Sequence, residues 1–548
     1  MVTDSPAHLA ELPRPPQDGR VPATSATAPT GWSLALSLRN QVEARPDKTA
    51  IIHAGRRLTF SELDRRSTRV ARGLAAEGVG AQQHVAFLDR NCAEYFEVLY
   101  GAGKLNAIDV AVNWRLAAPE MEFVINDAGA KVLFVGREFF PQLDEVRSRL
   151  HTVTKVVTLG DHPDHESYES WLGRQDAGAV TVPAAADDVA MQLYTSGTTG
   201  MPKGAMLTNA NLGTMIPHVG PRWNLDESSV NLVAMPLFHI GGSGWALVGM
   251  NLGVTTVVLS DPVPTLVIDA IEQHRISNAF VVPALLNLMA QVPGVETRDL
   301  SSLRSIVYGA SPITVEALKR CLATFGCAFI QVYGLTETAG AITELPAADH
   351  DLRGQRATEL LRSAGHPFPW VDIRVVDPAT GVDLPPGDVG ELWIRSVQVM
   401  KGYWHREQDT ATAIVDGWFR SGDAGFTDEE GYIFVTDRIK DMILSGGENI
   451  YAIEVENAVA AHPGVLDVAV IGVPDERWGE TVKAIVVRRP GATVTAADII
   501  AFARTRLGGY KCPTSVDFTD ALPRNPSGKV LKRELREPYW RGQERRVS

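Results

Sequence analysis

The sequence predicts an α/β fold: parallel sheets covered on both faces, then a smaller antiparallel β subdomain, then a compact α+β unit at the C-terminal end. Three observations carry that prediction. From about Trp32, short apolar runs alternate with helical patterns, as in parallel strands joined by helices. Beyond Gly365 the strands are short and separated by turns such as Pro385-Pro386-Gly387-Asp388 and Asp428-Glu429-Glu430-Gly431. After Asp437, strands and helices mix again in a short final unit. At 548 residues the chain is too long for one ordinary core, so more than one domain is expected.

Taken in order, residues 1–30 are rich in Pro, Ala, Thr and Asp and lack an apolar segment flanked by positive charge. They read as a disordered leader, not a signal peptide. Thr59-Phe60-Ser61-Glu62 reads as a capping box opening a helix with apolar positions at Leu63, Val70 and Leu74, stopped at Gly78. Strands are expected at 131–135, 155–159, 255–259, 279–282, 305–307 and 328–332. The apolar stretch 244–259 is broken by Gly249, Asn251 and Gly253 and falls short of a membrane span. Three short strands follow at 372–376, 391–394 and 432–435. The last unit carries a helix at 453–460, strands at 465–471 and 482–487, and a helix at 496–507 capped by Thr495 and closed by Gly508-Gly509. The domains are therefore 31–437, with a β-rich part from about 365, and 438–548.

Composition narrows the function. Apolar content of 45% and charged content of 21% describe a soluble globular protein. A net charge of −13 argues against nucleic-acid binding as the main business. Four scattered cysteines suit neither a disulfide framework nor a zinc site and fit a reduced, cytoplasmic compartment.

Chemistry concentrates in a few stretches. In Tyr194-Thr195-Ser196-Gly197-Thr198-Thr199-Gly200-Met201-Pro202-Lys203-Gly204, glycines free backbone N–H groups to face one anion, hydroxyls add donors and Lys203 adds charge. This is a polyphosphate loop, or else a Ser/Thr/Gly surface turn. It is not a Walker loop, whose lysine precedes Ser or Thr at a helix start. In Gln331-Val332-Tyr333-Gly334-Leu335-Thr336-Glu337, a strand runs into a glycine turn. Tyr333 offers a flat face for a purine, Thr336 a hydroxyl for a phosphate, and Glu337 an oxygen ligand for Mg²⁺. The plain alternative is a core strand end followed by a helix-terminal charge. Asp423, after Ser421-Gly422, suits ribose hydroxyls or a turn. Arg438 and the lysine of Pro523-Arg524-Asn525-Pro526-Ser527-Gly528-Lys529 are cations on exposed segments.

These motifs, in this order between about Trp32 and Trp540, closely resemble those of the adenylate-forming superfamily: acyl-CoA synthetases, luciferases and peptide-synthetase adenylation domains. The resemblance implies a large N-terminal domain of two αβ-sandwich sheets plus a small β-barrel subdomain, followed by a mobile C-terminal domain. It further implies ATP, Mg²⁺ and coenzyme A, with Thr195, Glu337, His239 and Lys529 in catalysis and Glu337 on the metal. The nucleotide and thiol sites would comprise Thr195, Ser196, Gly197, Thr198, Thr199, Gly200, Lys203, Gly309, Ala310, Ser311, Gln331, Tyr333, Gly334, Thr336, Asp423, Arg438, Gly446, Gly447 and Lys529. Lys440 stands at the family's hinge. Met235-Pro236-Leu237-Phe238-His239-Ile240-Gly241-Gly242 resembles the acid-pocket motif of acyl- and aryl-CoA ligases. His239, Gly241, Gly242, Tyr308, Gly309 and Leu335 are then the acid contacts, and the small residues imply a roomy apolar cavity. No aspartate near this stretch offers an ammonium partner, so a hydrophobic monocarboxylic acid is expected, fatty or ring-bearing. Trp245 sits too far along for a gating tryptophan and is assigned to core packing. The short segment 343–365 lacks the insertion of many carrier-protein-loading relatives, which favours coenzyme A; a small amine or a carrier protein remains open, as does a homodimer.

Overall fold

A computed structural model describes residues 31–195, 201–438, 441–445, 448–475, 477–524 and 529–541. Two large sheets form its body. The first has nine strands. Its middle is parallel: Thr49–His53, Thr255–Val258, Val230–Val233, Asn278–Val281, Ser305–Gly309 and Ala328–Leu335 lie side by side in that order. The second has eight strands, with Val189–Thr195, Ile108–Ala111, His84–Leu88, Val132–Gly136 and Lys155–Leu159 parallel in sequence across it. Both sheets carry antiparallel strands at their margins. Strands buried on both faces must be apolar throughout, and Val132–Gly136 and Ser305–Gly309 are buried at every position.

The helices start where local chemistry dictates. Thr59 caps Phe60–Ala76, with its hydroxyl accepting from Glu62 N–H and the Glu62 carboxylate accepting from Thr59 N–H. Leu63, Val70 and Leu74 are buried, as their spacing predicts. The broken apolar stretch resolves into the helix Ile240–Leu252 and the strand Thr255–Val258, separated by Gly253 at φ +70. Gly253 ends the helix, while Gly249 lies within it against Asn231.

The third sheet is antiparallel throughout: Asp372–Val376, Gly390–Arg395, Trp418–Thr427 and Ile414–Val415, with Ile433–Arg438 also pairing Trp418–Thr427 on the edge away from Gly390–Arg395. The fourth holds Ile443–Ser445, Glu448–Ile450, Val465–Asp475, Gly479–Arg488 and Ser515–Phe518. Its helix Ala496–Arg504 carries the expected Thr495 cap but stops short of the expected 507. Arg438 thus ends one sheet and Ile443 opens the next. Among the described residues no helix is long and apolar enough to cross a membrane.

Candidate active site

The polyphosphate motif lies on a hairpin. Val189–Thr195 pairs antiparallel with Lys203–Thr208, and Thr195 sits opposite Lys203. Residues 196–200, the tip of the loop, fall outside the described structure, as do Lys440, Gly446 and Gly447. The returning strand is then joined by Gly402–Tyr403, which pairs with Ala205 and Met206. Trp404 N–H donates to Gly204 O at 2.8 Å.

That short strand brings the two principal motifs together. The Tyr403 hydroxyl donates to Glu337 Oε1 at 2.8 Å, while Lys203 Nζ lies 5.4 Å from the centre of the Tyr403 ring. Met400 N–H donates to the Glu337 carbonyl at 2.7 Å. Lys203 also pairs with Asp409 Oδ1 at 2.8 Å. Glu337 stands on the short turn Thr336–Thr338 at the carboxyl end of Ala328–Leu335, where open α/β sheets bind ligands. The buried Thr338 hydroxyl shapes that turn, accepting from Leu335 N–H at 2.9 Å and reaching Gly340 O at 2.8 Å. The Gln398 amide, fully buried, donates to the carbonyls of Thr338 and Ala341 at 3.0 and 2.9 Å.

The Tyr333 hydroxyl donates to Asp423 Oδ2 at 2.7 Å. Asp423 follows Gly422, at φ +69, and lies opposite Arg438 on the neighbouring strand. Gln331 projects from the same face of its strand as Tyr333. Its Oε1 is buried with no hydrogen-bond partner among the described residues. A buried acceptor, a phenol and a carboxylate on one side of a strand suit an adenosine: an amine for the orphan oxygen, a base for the ring, hydroxyls for the acid. Ala310, exposed at φ +68, holds a left-handed conformation rare for a residue with a Cβ, with Ser311 next in the turn. Mg²⁺ also fits. Among the described residues no three carboxylate, histidine or cysteine groups cluster as an all-protein cage. One carboxylate plus substrate phosphates is the usual way Mg²⁺ is held.

His239 caps Ile240–Leu252, its Nδ1 accepting from Gly241 N–H at 3.2 Å. Burial pushes its pKa down to about 4, so the ring is neutral near pH 7. The segment leading to it is clamped by Asn91, a residue the sequence does not single out. Its amide donates to Met235 O at 2.9 Å and its carbonyl accepts from Leu237 N–H at 2.9 Å. Three expectations need correction. Tyr308 is 1% exposed and its hydroxyl meets His350 Nε2 at 2.9 Å, so its side chain belongs to the core and does not reach the acid. Gly242 and Gly309 do not open a cavity: a Cβ on either would fall on a backbone carbonyl, of Pro236 and Val332 respectively. Ser243 is buried with its hydroxyl on His239 O at 3.1 Å. These small residues let chain segments approach. Gly241 faces the Phe280 ring, and Gly334 packs against Gly340 O. Trp245 is 4% exposed and bonds Leu232 O at 2.9 Å, a core residue as expected.

Lys529 precedes Val530, which bridges Arg524, and Leu531 N–H donates to Pro523 O at 2.8 Å; residues 525–528 fall outside the described structure.

Two domains of this build, with a loop hairpin facing a tyrosine–glutamate corner, are those of an adenylate-forming enzyme. ATP-bound MatB from Rhodopseudomonas palustris matches with a TM-score of 0.85 at 32% identity, over 92% of this chain and 98% of that one. The AMP-binding enzyme pattern covers residues 38–404, and that of the AMP-binding enzyme C-terminal domain covers 454–529. The chain belongs to the AMP-binding enzyme family. Among its relatives, the fatty acid–[acyl-carrier-protein] ligase ScoC of Streptomyces coeruleorubidus is 40% identical over 94% of this chain and 98% of its own length. A feruloyl-CoA synthase of an Amycolatopsis species is 41% identical over 90% and 96%.

Proposed function

We propose that the protein is an AMP-forming acid–thiol ligase for a hydrophobic monocarboxylic acid, in first place a fatty acid, with coenzyme A as acceptor. The observation that supports this reading is the contact chain Lys203–Tyr403–Glu337, which links the lysine of the first motif to the acidic corner of the second. In the first half-reaction an oxygen of the acid attacks the α-phosphorus of ATP. The bond to the β-phosphate bridging oxygen breaks, giving acyl-AMP and pyrophosphate. Two anions must meet, so fixed positive charge sets the rate. Lys203 serves the outer phosphates, Asp423 and Tyr333 hold the nucleoside, and neutral His239 borders the carboxylate without adding charge. Lys529, delivered by the C-terminal domain, spans the carboxylate and the α-phosphate. Mg²⁺ on Glu337, when bound, neutralises phosphate charge. In the second half-reaction a thiol attacks the acyl carbon and AMP leaves with the anhydride electrons.

The named relatives support both a fatty and an aromatic acid. The name of ScoC favours a second acceptor, the phosphopantetheine thiol of a carrier protein, and weakens the inference from a missing insertion. The test is pyrophosphate release across a panel of fatty and aryl acids, each with no acceptor, with coenzyme A and with holo carrier protein. Release confined to fatty acids, with thioester formed on coenzyme A, is expected. Release with no acid of the panel would overturn the assignment.

A further inference from the structure

Lys203, the cation of the polyphosphate hairpin, does not face an empty cleft. Its ammonium is 2.8 Å from Asp409 Oδ1 and 5.4 Å from the Tyr403 ring centre, and its side chain is 21% exposed. Asp409 comes from the helix Glu407–Ala413, which follows Gly402–Tyr403 directly and is tied back to it by Thr410 Oγ1, accepting from Tyr403 N–H at 2.9 Å. One short segment, strand and helix tied together, therefore carries both the ring beneath the ammonium and the carboxylate upon it.

We propose that Asp409 is an internal competitor of the outer phosphates for Lys203, and so a residue that sets affinity for ATP and pyrophosphate but not for AMP. This rests on Lys203 serving the outer phosphates, as proposed above. An incoming phosphate must either open the Lys203–Asp409 pair or share the ammonium with a carboxylate a few ångströms away; both weaken binding. A ligand ending at the α-phosphate does not reach Lys203 and is indifferent to Asp409. The same competition loosens pyrophosphate after adenylation and so favours its departure. Asp409 is 39% exposed, so water screens the pair and the effect is moderate.

The test is titration of the full chain, without acid, by MgATP, pyrophosphate and AMP in turn. For Asp409→Asn the expected result is tightening of MgATP and pyrophosphate by about three- to five-fold, the size of a coupling between partly exposed charges. AMP should be unchanged, and Asp409→Glu should return to wild-type values. In a Lys203→Met background, Asp409→Asn should change nothing. Unaltered or weaker ATP binding in Asp409→Asn, equal tightening of AMP, or an effect that survives Lys203→Met would each overturn the proposal. Failure of the wild-type chain to bind MgATP would instead remove the nucleotide reading on which it stands.

Discussion

Asp109 is sealed into the core at the second sheet, with Tyr95 donating to Oδ2 at 3.0 Å and Oδ1 without a partner among the described residues. Burial raises its pKa from the ordinary 3.8 to about 7. A carboxyl that holds its proton more tightly when folded favours the folded state fully only below the unfolded value. Stability therefore falls as pH rises from about 4 to about 7, by roughly 4 kcal/mol at most, and then levels. Asp109→Asn keeps the shape and cannot ionise. The melting-temperature advantage of this variant over wild type should grow between pH 4.5 and pH 7.5; an equal difference at both would show that Asp109 does not titrate on unfolding. At Lys529 the expectation is kinetic. Lys529→Ala should slow adenylation by roughly two to three orders of magnitude, the loss typical of one charged donor at a reacting centre. It should largely keep thiolysis of supplied acyl-AMP, and equal loss in both half-reactions would remove the role given to this lysine. Residues whose chemistry is local were legible from sequence: the Thr59 and Thr495 caps, and Trp245 as core. Tyr308 and Gly242 were misread because their surroundings, His350 and the Pro236 carbonyl, are set by packing and not by type.

At the scale of elements, the strand Gly402–Tyr403 decides the site's geometry, and nothing in its two residues announces it. Its importance comes from pairing with a strand about two hundred residues earlier and from touching a turn between them. Asn91 and Gln398 escaped notice for the same reason: each is a buried amide that clamps distant backbone. By contrast, short runs bounded by turn residues were plain, and Lys155–Leu159 and Asp372–Val376 fall where those runs place them. Tyr403→Phe separates the two jobs of that strand. The ring under Lys203 stays, and the hydrogen bond to Glu337 goes. A hydrogen bond to a carboxylate contributes about 1.5–3 kcal/mol when well formed. The Glu337–Tyr403 pair is partly exposed, so a fall in kcat/KM for ATP of about tenfold is expected, with the melting temperature nearly unchanged. ATP–pyrophosphate exchange measures it; an unchanged rate would mean that Glu337 needs no anchor.

Over the whole molecule, the sheets divide after Arg438, where strands and helices begin to mix again. No described strand pairing joins residues before 439 to residues after 442, and Ile433–Arg438 and Ile443–Ser445 belong to different sheets. We assign the hinge to Lys440 on the resemblance to adenylate-forming enzymes, and a proline there tests it. Proline fixes φ near −65° and removes one N–H, so it restricts a rotation without touching either core. If one arrangement of the C-terminal domain makes acyl-AMP and another makes thioester, Lys440→Pro should split the two half-reactions. Single-turnover acyl-AMP formation should stay within about threefold of wild type, while thioester formation from supplied acyl-AMP slows by at least about tenfold, as when a conformational step gates turnover. Lys440→Ala should leave both intact, which separates loss of the side chain from loss of backbone freedom. Parallel decline of both half-reactions in the proline variant, or no decline in either, would mean that the chain turns elsewhere or does not turn.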